Sequence, residues 1–172
     1  MADMEPTDLL ADAFGRIPAL VEGVLKGLGA AELNRRPGGE GNSVAWLVWH
    51  LSRVQDDHLS DVAGTDQQWI SAGFKDRFGF GLQPEDTGYG HSHDQVSAVQ
   101  VESGSLLQEY YQAVQAKTLE FLNGLDKAAL DRIVDDSWDP SVSLGVRLVS
   151  VLQDCLMHVG QAAYVRGLPP GR

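Results

Sequence analysis

The chain has 172 residues, 43% hydrophobic and 22% charged, a composition suited to one domain (1-172) that folds without needing a metal or a disulfide. Its 24 acidic residues against 13 basic ones give a formal net charge of -11, and the Lys and Arg residues are scattered, which argues against nucleic acid as a partner. A single cysteine, Cys155, excludes an internal disulfide framework and a cysteine-rich zinc finger, so any transition metal must be held by histidine and carboxylate. No stretch approaches the ~20 apolar residues of a membrane span. The start, Met1-Ala-Asp-Met-Glu-Pro, has no basic and apolar leader pattern, so no membrane association and a cytoplasmic location are expected.

From Thr7 to about Leu28, apolar residues recur at spacings of three and four, which predicts a helix capped by Thr7 or Asp8 and bent or locally broken at Pro18. Arg36-Pro-Gly-Gly-Glu-Gly reads as a loop. Asn42-Ser43 then caps a second helix, Val44 to Val62, closed by Gly64. Between Thr65 and Ser92 the periodicity fails, and glycines alternate with Trp69, Phe74, Phe78, Phe80 and Tyr89. So long a connection rich in aromatic residues predicts an ordered, functional excursion over one end of the molecule. Helical period returns from about His93 to Leu122, ended by Asn123-Gly124. A short element near Lys127 to Asp131 and the loop around Ser137-Trp-Asp-Pro140 precede the last helix, about Ser143 to Val165, stopped by Gly167 and Pro169-Pro170. No strand-like run is evident. The expected fold is all-α, an antiparallel four-helix bundle with a long glycine- and aromatic-rich loop between helices 2 and 3.

Within the last helix, Asp154 and His158 stand four residues apart on an otherwise apolar face. His50 lies on the Leu47, Leu51, Val54 stripe of the second helix. One such group from one helix and two from another is how bundles build metal sites, and His50, Asp154 and His158 form a candidate set that leaves a position open. The competing explanation is a set of core polar residues satisfied by hydrogen bonds, His50 to Asp154 for instance, with no metal. Asp57 and His58 lie about 12 Å along the axis from His50 at ~1.5 Å rise per residue, too far to share an ion, and are expected to face solvent or an end of the bundle. His91 and His93 fall in the loop, from which closure would bring one over the site. Cys155 reads as a buried, inert thiol. Arg147 is a candidate anchor for a substrate carboxylate, although capping and surface ion pairing are commoner uses. Gln161 is a candidate for substrate contact or for orienting a ligating side chain.

The blocks Asn42-Ser-Val-Ala-Trp-Leu-Val-Trp-His-Leu-Ser-Arg-Val-Gln-Asp-Asp-His58, Asp86-Thr-Gly-Tyr-Gly-His91, Trp138-Asp-Pro140, Gly145-Val-Arg-Leu-Val-Ser150 and His158-Val-Gly-Gln-Ala-Ala-Tyr-Val-Arg-Gly resemble the DinB-like superfamily. More narrowly, they resemble its actinobacterial branch related to mycothiol-dependent maleylpyruvate isomerases and mycothiol S-transferases. The resemblance covers nearly the whole chain. It implies a four-helix bundle whose divalent metal, zinc or nickel, is bound at positions that map onto His50, Asp154 and His158, with aspartate where relatives carry histidine or glutamate. It further implies transfer of a low-molecular-weight thiol such as mycothiol or bacillithiol to a small electrophile, or isomerisation of it, often by a homodimer. A cation held by two neutral imidazoles and one carboxylate keeps positive charge and would lower the pKa of a coordinated thiol. A binding protein without turnover and a hydrolase using coordinated water remain the alternatives.

Overall fold

A computed structural model describes residues 4–169; the N-terminal Met1 to Asp3 and Pro170 of the expected final stop lie outside them. Among the described residues the fold is all-α apart from one small ribbon. The first predicted helix is two, α1 (Pro6–Gly15) and α2 (Ile17–Leu25), parted at Arg16. Pro18 has no N–H to give and would clash with the carbonyl of Phe14, so it sits in the first turn of α2, where no donor is required. A single turn, α3 (Ala30–Leu33), and a 3-10 turn at Pro37–Gly39 lead to α4 (Val44–Ala63). The Ser43 hydroxyl caps α4 by accepting from the Trp46 N–H at 3.1 Å.

The connection after α4 contains two short helices, α5 (Gln68–Ser71) and α6 (Phe74–Phe78), whose Trp69 and Phe74 are buried. The predicted third helix is also two, α7 (His93–Ala98) and α8 (Gly104–Asn123), and this corrects the continuous run expected from periodicity. The break is held from afar: the Asn34 side chain donates to the Val101 carbonyl at 2.8 Å and accepts from its N–H at 2.9 Å. A residue whose N–H and carbonyl are both taken by a side chain cannot also join a helix ladder.

A 3-10 turn at Lys127–Asp131 is followed by β1 (Ile133–Asp135) and β2 (Val142–Ser143), an antiparallel ribbon that the sequence did not announce because each strand is too short to show a period of two. The last helix, α9 (Leu144–Gly167), is capped by the Ser143 hydroxyl.

Helix α4 is the centre of the molecule and is buried along most of its length, Trp49 and Leu51 completely. It packs most extensively on α9 and next on α8, while α1 and α2 lie against α8 and α9. Leu148, Val151, Cys155 and Val159 form the inward stripe of α9 and set Asp154 and His158 just to one side of it. Among the described residues no helix is long and apolar enough to cross a membrane.

Candidate metal centre

The packing of α4 on α9 brings His50, Asp154 and His158 together: one donor atom from each lies within 4.8 Å of the other two. The rings of His50 and His158 meet edge to face with centroids 4.5 Å apart. His50 is buried and stacks on Trp46, one turn earlier on α4, at 4.6 Å and 16°. Its Nδ1 meets the Thr87 carbonyl. A carbonyl only accepts, so Nδ1 carries the proton and Nε2 keeps its lone pair. His158 is oriented in the same manner, its Nδ1 donating to the Gln161 side-chain oxygen at 2.8 Å. Both rings thus offer Nε2 to a cation, each steered by a hydrogen bond at the other nitrogen.

Asp154 Oδ1 lies 3.4 Å from His158 Nε2, whereas its Oδ2 is buried with no hydrogen-bond partner among the described residues. Two imidazole lone pairs and an unsatisfied carboxylate oxygen fit a divalent cation better than a hydrogen-bonded core. The His50 to Asp154 hydrogen bond considered from sequence is not formed; His50 bonds to the loop instead. Burial, reinforced by the neighbouring His158, holds the His50 pKa below the ordinary value against the opposing pull of the Thr87 carbonyl and Asp154. For His158 burial also disfavours the charge, but the hydrogen bond and charge of Asp154, together with Gln161, outweigh it and the pKa is raised.

His50 and Asp154 open onto a cavity of about 560 Å³. Val54, Val142, Val146 and Val151 give it an apolar waist, and Tyr89 and Trp138, both largely exposed, stand in its wall. Asp57 and His58 also line it, which corrects the expectation that they face solvent or an end of the bundle. Arg147 crosses this wall, its Nη1 3.0 Å from His58 Nδ1 and its Nη2 donating to Asp135 at 2.8 Å. Burial, and after it the Arg147 charge, push the His58 pKa down. Gln161 is not part of the cavity wall; its contact is with His158.

His91 and His93 contribute no donor to the cluster among the described residues. His91 is not a mobile loop residue: its side chain is 2% exposed, stacked on Trp49, with Nδ1 accepting from the Trp46 indole at 3.2 Å and Nε2 3.4 Å from Asp86. His93 lies at the surface beside Arg36. The Cys155 thiol is fully buried and its pKa is pushed up, chiefly by burial, so it is no nucleophile.

Sequence reasoning missed the supports of the site. Arg53, wholly buried one turn past His50, donates to the carbonyls of Asp86 at 2.9 Å and Pro84 at 3.3 Å and pairs with Asp56 at 3.6 Å. Asp56 in turn accepts from the backbone of Gln68 and Trp69 and from the Tyr110 hydroxyl. The available signal was Arg53 and Asp56 three apart on a helix with little exposed surface. For Asp135, whose carboxylate holds Arg147, there was none.

The family model of the DinB superfamily matches residues 13–162. This chain belongs to the DinB superfamily. A crystal structure described as that of a conserved protein of locus from Enterococcus faecalis is 32% identical, superposes with a TM-score of 0.90, and matches over 98% of this chain and 99% of its own. Among curated proteins none matches. The superfamily, whose members often bind metal, and the donor set converging here both suggest a metal site.

Proposed function

We propose that this DinB superfamily protein is a divalent-metal-dependent transferase or isomerase that delivers a low-molecular-weight thiol, mycothiol or a similar compound, to a small electrophile. The observation that carries the reading is the convergence of His50, Asp154 and His158 within 4.8 Å, with a buried and unpartnered carboxylate oxygen, beside a cavity large enough for an organic substrate. Zinc and nickel both suit two imidazoles and a carboxylate. When bound, such an ion supplies the positive charge that favours a coordinated thiol as thiolate.

The protein's own groups do the rest. Thr87 and Gln161 turn the two rings; Trp46 covers one face of His50 and shields it from water. Arg147, already tied to Asp135 and His58, retains further N–H donors for an anionic group on the substrate. The sole cysteine is inaccessible, which favours a nucleophile brought by a cosubstrate.

We read the helix packing as the four-helix bundle of the family, in the cytoplasm, and the active unit as a homodimer. Support for the dimer comes from α9: Val146, Val149, Leu156, Met157 and Tyr164 are 43 to 70% exposed, and from Leu148 to Val165 the helix carries no Lys, Arg, Glu or second Asp besides Asp154. On a chain of net charge -11 such a face can meet its own copy without repulsion.

Plasma mass spectrometry on untagged, chelator-washed and reconstituted protein tests the site. About one divalent ion per chain is expected, lost in both His50→Ala and His158→Ala with helicity retained. Full stoichiometry in both variants would remove the assignment. Turnover of an electrophile that needs no added thiol would favour hydrolysis by coordinated water, and binding of metal without turnover would favour a binding protein.

A further inference from the structure

Residues 84–88 of the long connection run back along α4, and their backbone meets it at two points one turn apart. Arg53 grips the carbonyls of Pro84 and Asp86, and the next carbonyl, that of Thr87, lies on His50 Nδ1. Both His50 and Arg53 belong to α4, so helix, arginine, strap and histidine close a ring of contacts.

The residue that lets the strap come so near is Gly88. Its φ of 96° is unfavourable for any residue with a side chain. A Cβ there would lie 2.6 Å from His50 Nδ1, 3.0 Å from Trp46 and 3.1 Å from Trp49. Neither indole can yield, since Trp49 is fully buried and stacked on His91, while Trp46 is held by its bond to His91. Gly90, two residues on, has a φ of 69° but open space around its Cβ position. The two glycines therefore share a backbone constraint and differ in the contact with His50.

We propose that Gly88 is a positioning residue for His50: the space it leaves lets the Thr87 carbonyl lock the imidazole as its Nδ1–H tautomer, with Nε2 presented to Asp154 and His158. This rests on the metal reading for its consequence, not for its geometry. Thr87 and Tyr89, on either side of Gly88, line the cavity, so the strap that orients His50 also forms part of the cavity wall.

Full-length, chelator-stripped protein is titrated with Co²⁺ alone and followed by visible absorption. Gly88→Ala is expected to bind about 10- to 100-fold more weakly, the range for loss of a group that orients a ligand, and Gly90→Ala to stay within about threefold of the parent. Arg53→Lys, which keeps the charge beside Asp56 but loses the fork that holds the strap, should weaken binding several-fold and covers the case in which Gly88→Ala does not fold. Equal affinity in Gly88→Ala and the parent overturns the proposal, as does an equal loss in Gly90→Ala. Absence of Co²⁺ binding by the parent would sink the metal reading alone. The strap is then decided by long-range ¹H–¹⁵N spectra of the metal-free proteins: one Nδ1-protonated tautomer of His50 in the parent and a mixture in Gly88→Ala supports it, and identical spectra refute it.

Discussion

Asp154 Oδ1 lies 3.4 Å from His158 Nε2 across one turn of α9, while the second oxygen of the same carboxylate is buried without a donor among the described residues. Without a cation that oxygen is unfavourably placed, because a buried acceptor left unmatched has lost water and gained nothing. Asp154→Asn keeps the shape and removes the charge. Zinc titration of this variant should show affinity lower by at least about tenfold, since even groups that only orient ligands are worth that much. Urea denaturation of the metal-free protein should show a midpoint equal to or above the parent's. A variant that lost stability as well as affinity would mark Asp154 as a structural carboxylate.

The buried ion pair of Arg53 with Asp56 is the counterpart within α4. Asp56→Ala takes the counter-charge from the buried Arg53 guanidinium and the acceptor from the N–H groups of Gln68 and Trp69 and from the Tyr110 hydroxyl. Breaking a buried pair from one side costs about 3 to 5 kcal/mol. The exposed pair of Lys117 with Glu120 is the comparison, and Glu120→Ala should change stability by no more than about 1 kcal/mol. Urea denaturation of both variants checks the contrast, and similar losses would show that the Arg53 cluster is not the anchor of the loop.

How much of this was legible depends on the range of the interaction. Helices α4 and α9 could be read closely because their signals are local: Ser43 and Ser143 at the caps, and an apolar period between. His50, Asp154 and His158 stood out because a polar group on an apolar face is conspicuous without any knowledge of what it faces. The break between α7 and α8 was hidden, since the residue that holds it open, Asn34, is 67 positions away from Val101. His91 looked like a loop residue because nothing nearby in sequence reveals the slot between Trp46 and Trp49. Asp57 and His58 were set aside on distance along the axis, which was sound for sharing one ion but silent about a cavity that runs along the helix.

His58 should make stability depend on pH. Its folded-state pKa is lowered, by burial first and by the Arg147 charge second, from an unfolded value near ~6.5. Just below that value the unfolded chain binds the proton more readily than the folded one. The contribution is therefore fully present above pH ~6.5 and is lost as pH falls through the folded-state pKa, with a slope of at most about 1.4 kcal/mol per pH unit. Replacing His58 by Gln should flatten the slope in that window. Urea denaturation at pH steps with chelator present measures it, and an unchanged slope would show that His58 takes up its proton as readily in the folded protein as in the unfolded chain.

The apolar face of α9 leads to a last expectation. Val149, Leu156 and Tyr164 recur along one side of a 24-residue helix and are exposed. A charge-free helical stripe left exposed among the described residues is covered more readily by an identical stripe than by the acidic remainder of the surface. Light scattering coupled to size exclusion should give twice the 18.6 kDa chain mass. Leu156→Glu with Met157→Glu would place like charges across the contact and should return a monomer. Helicity should be retained, because both side chains point away from the core. The double variant should also keep its metal, since neither residue is among the three donors. A parent that runs as a monomer would leave this face for another partner.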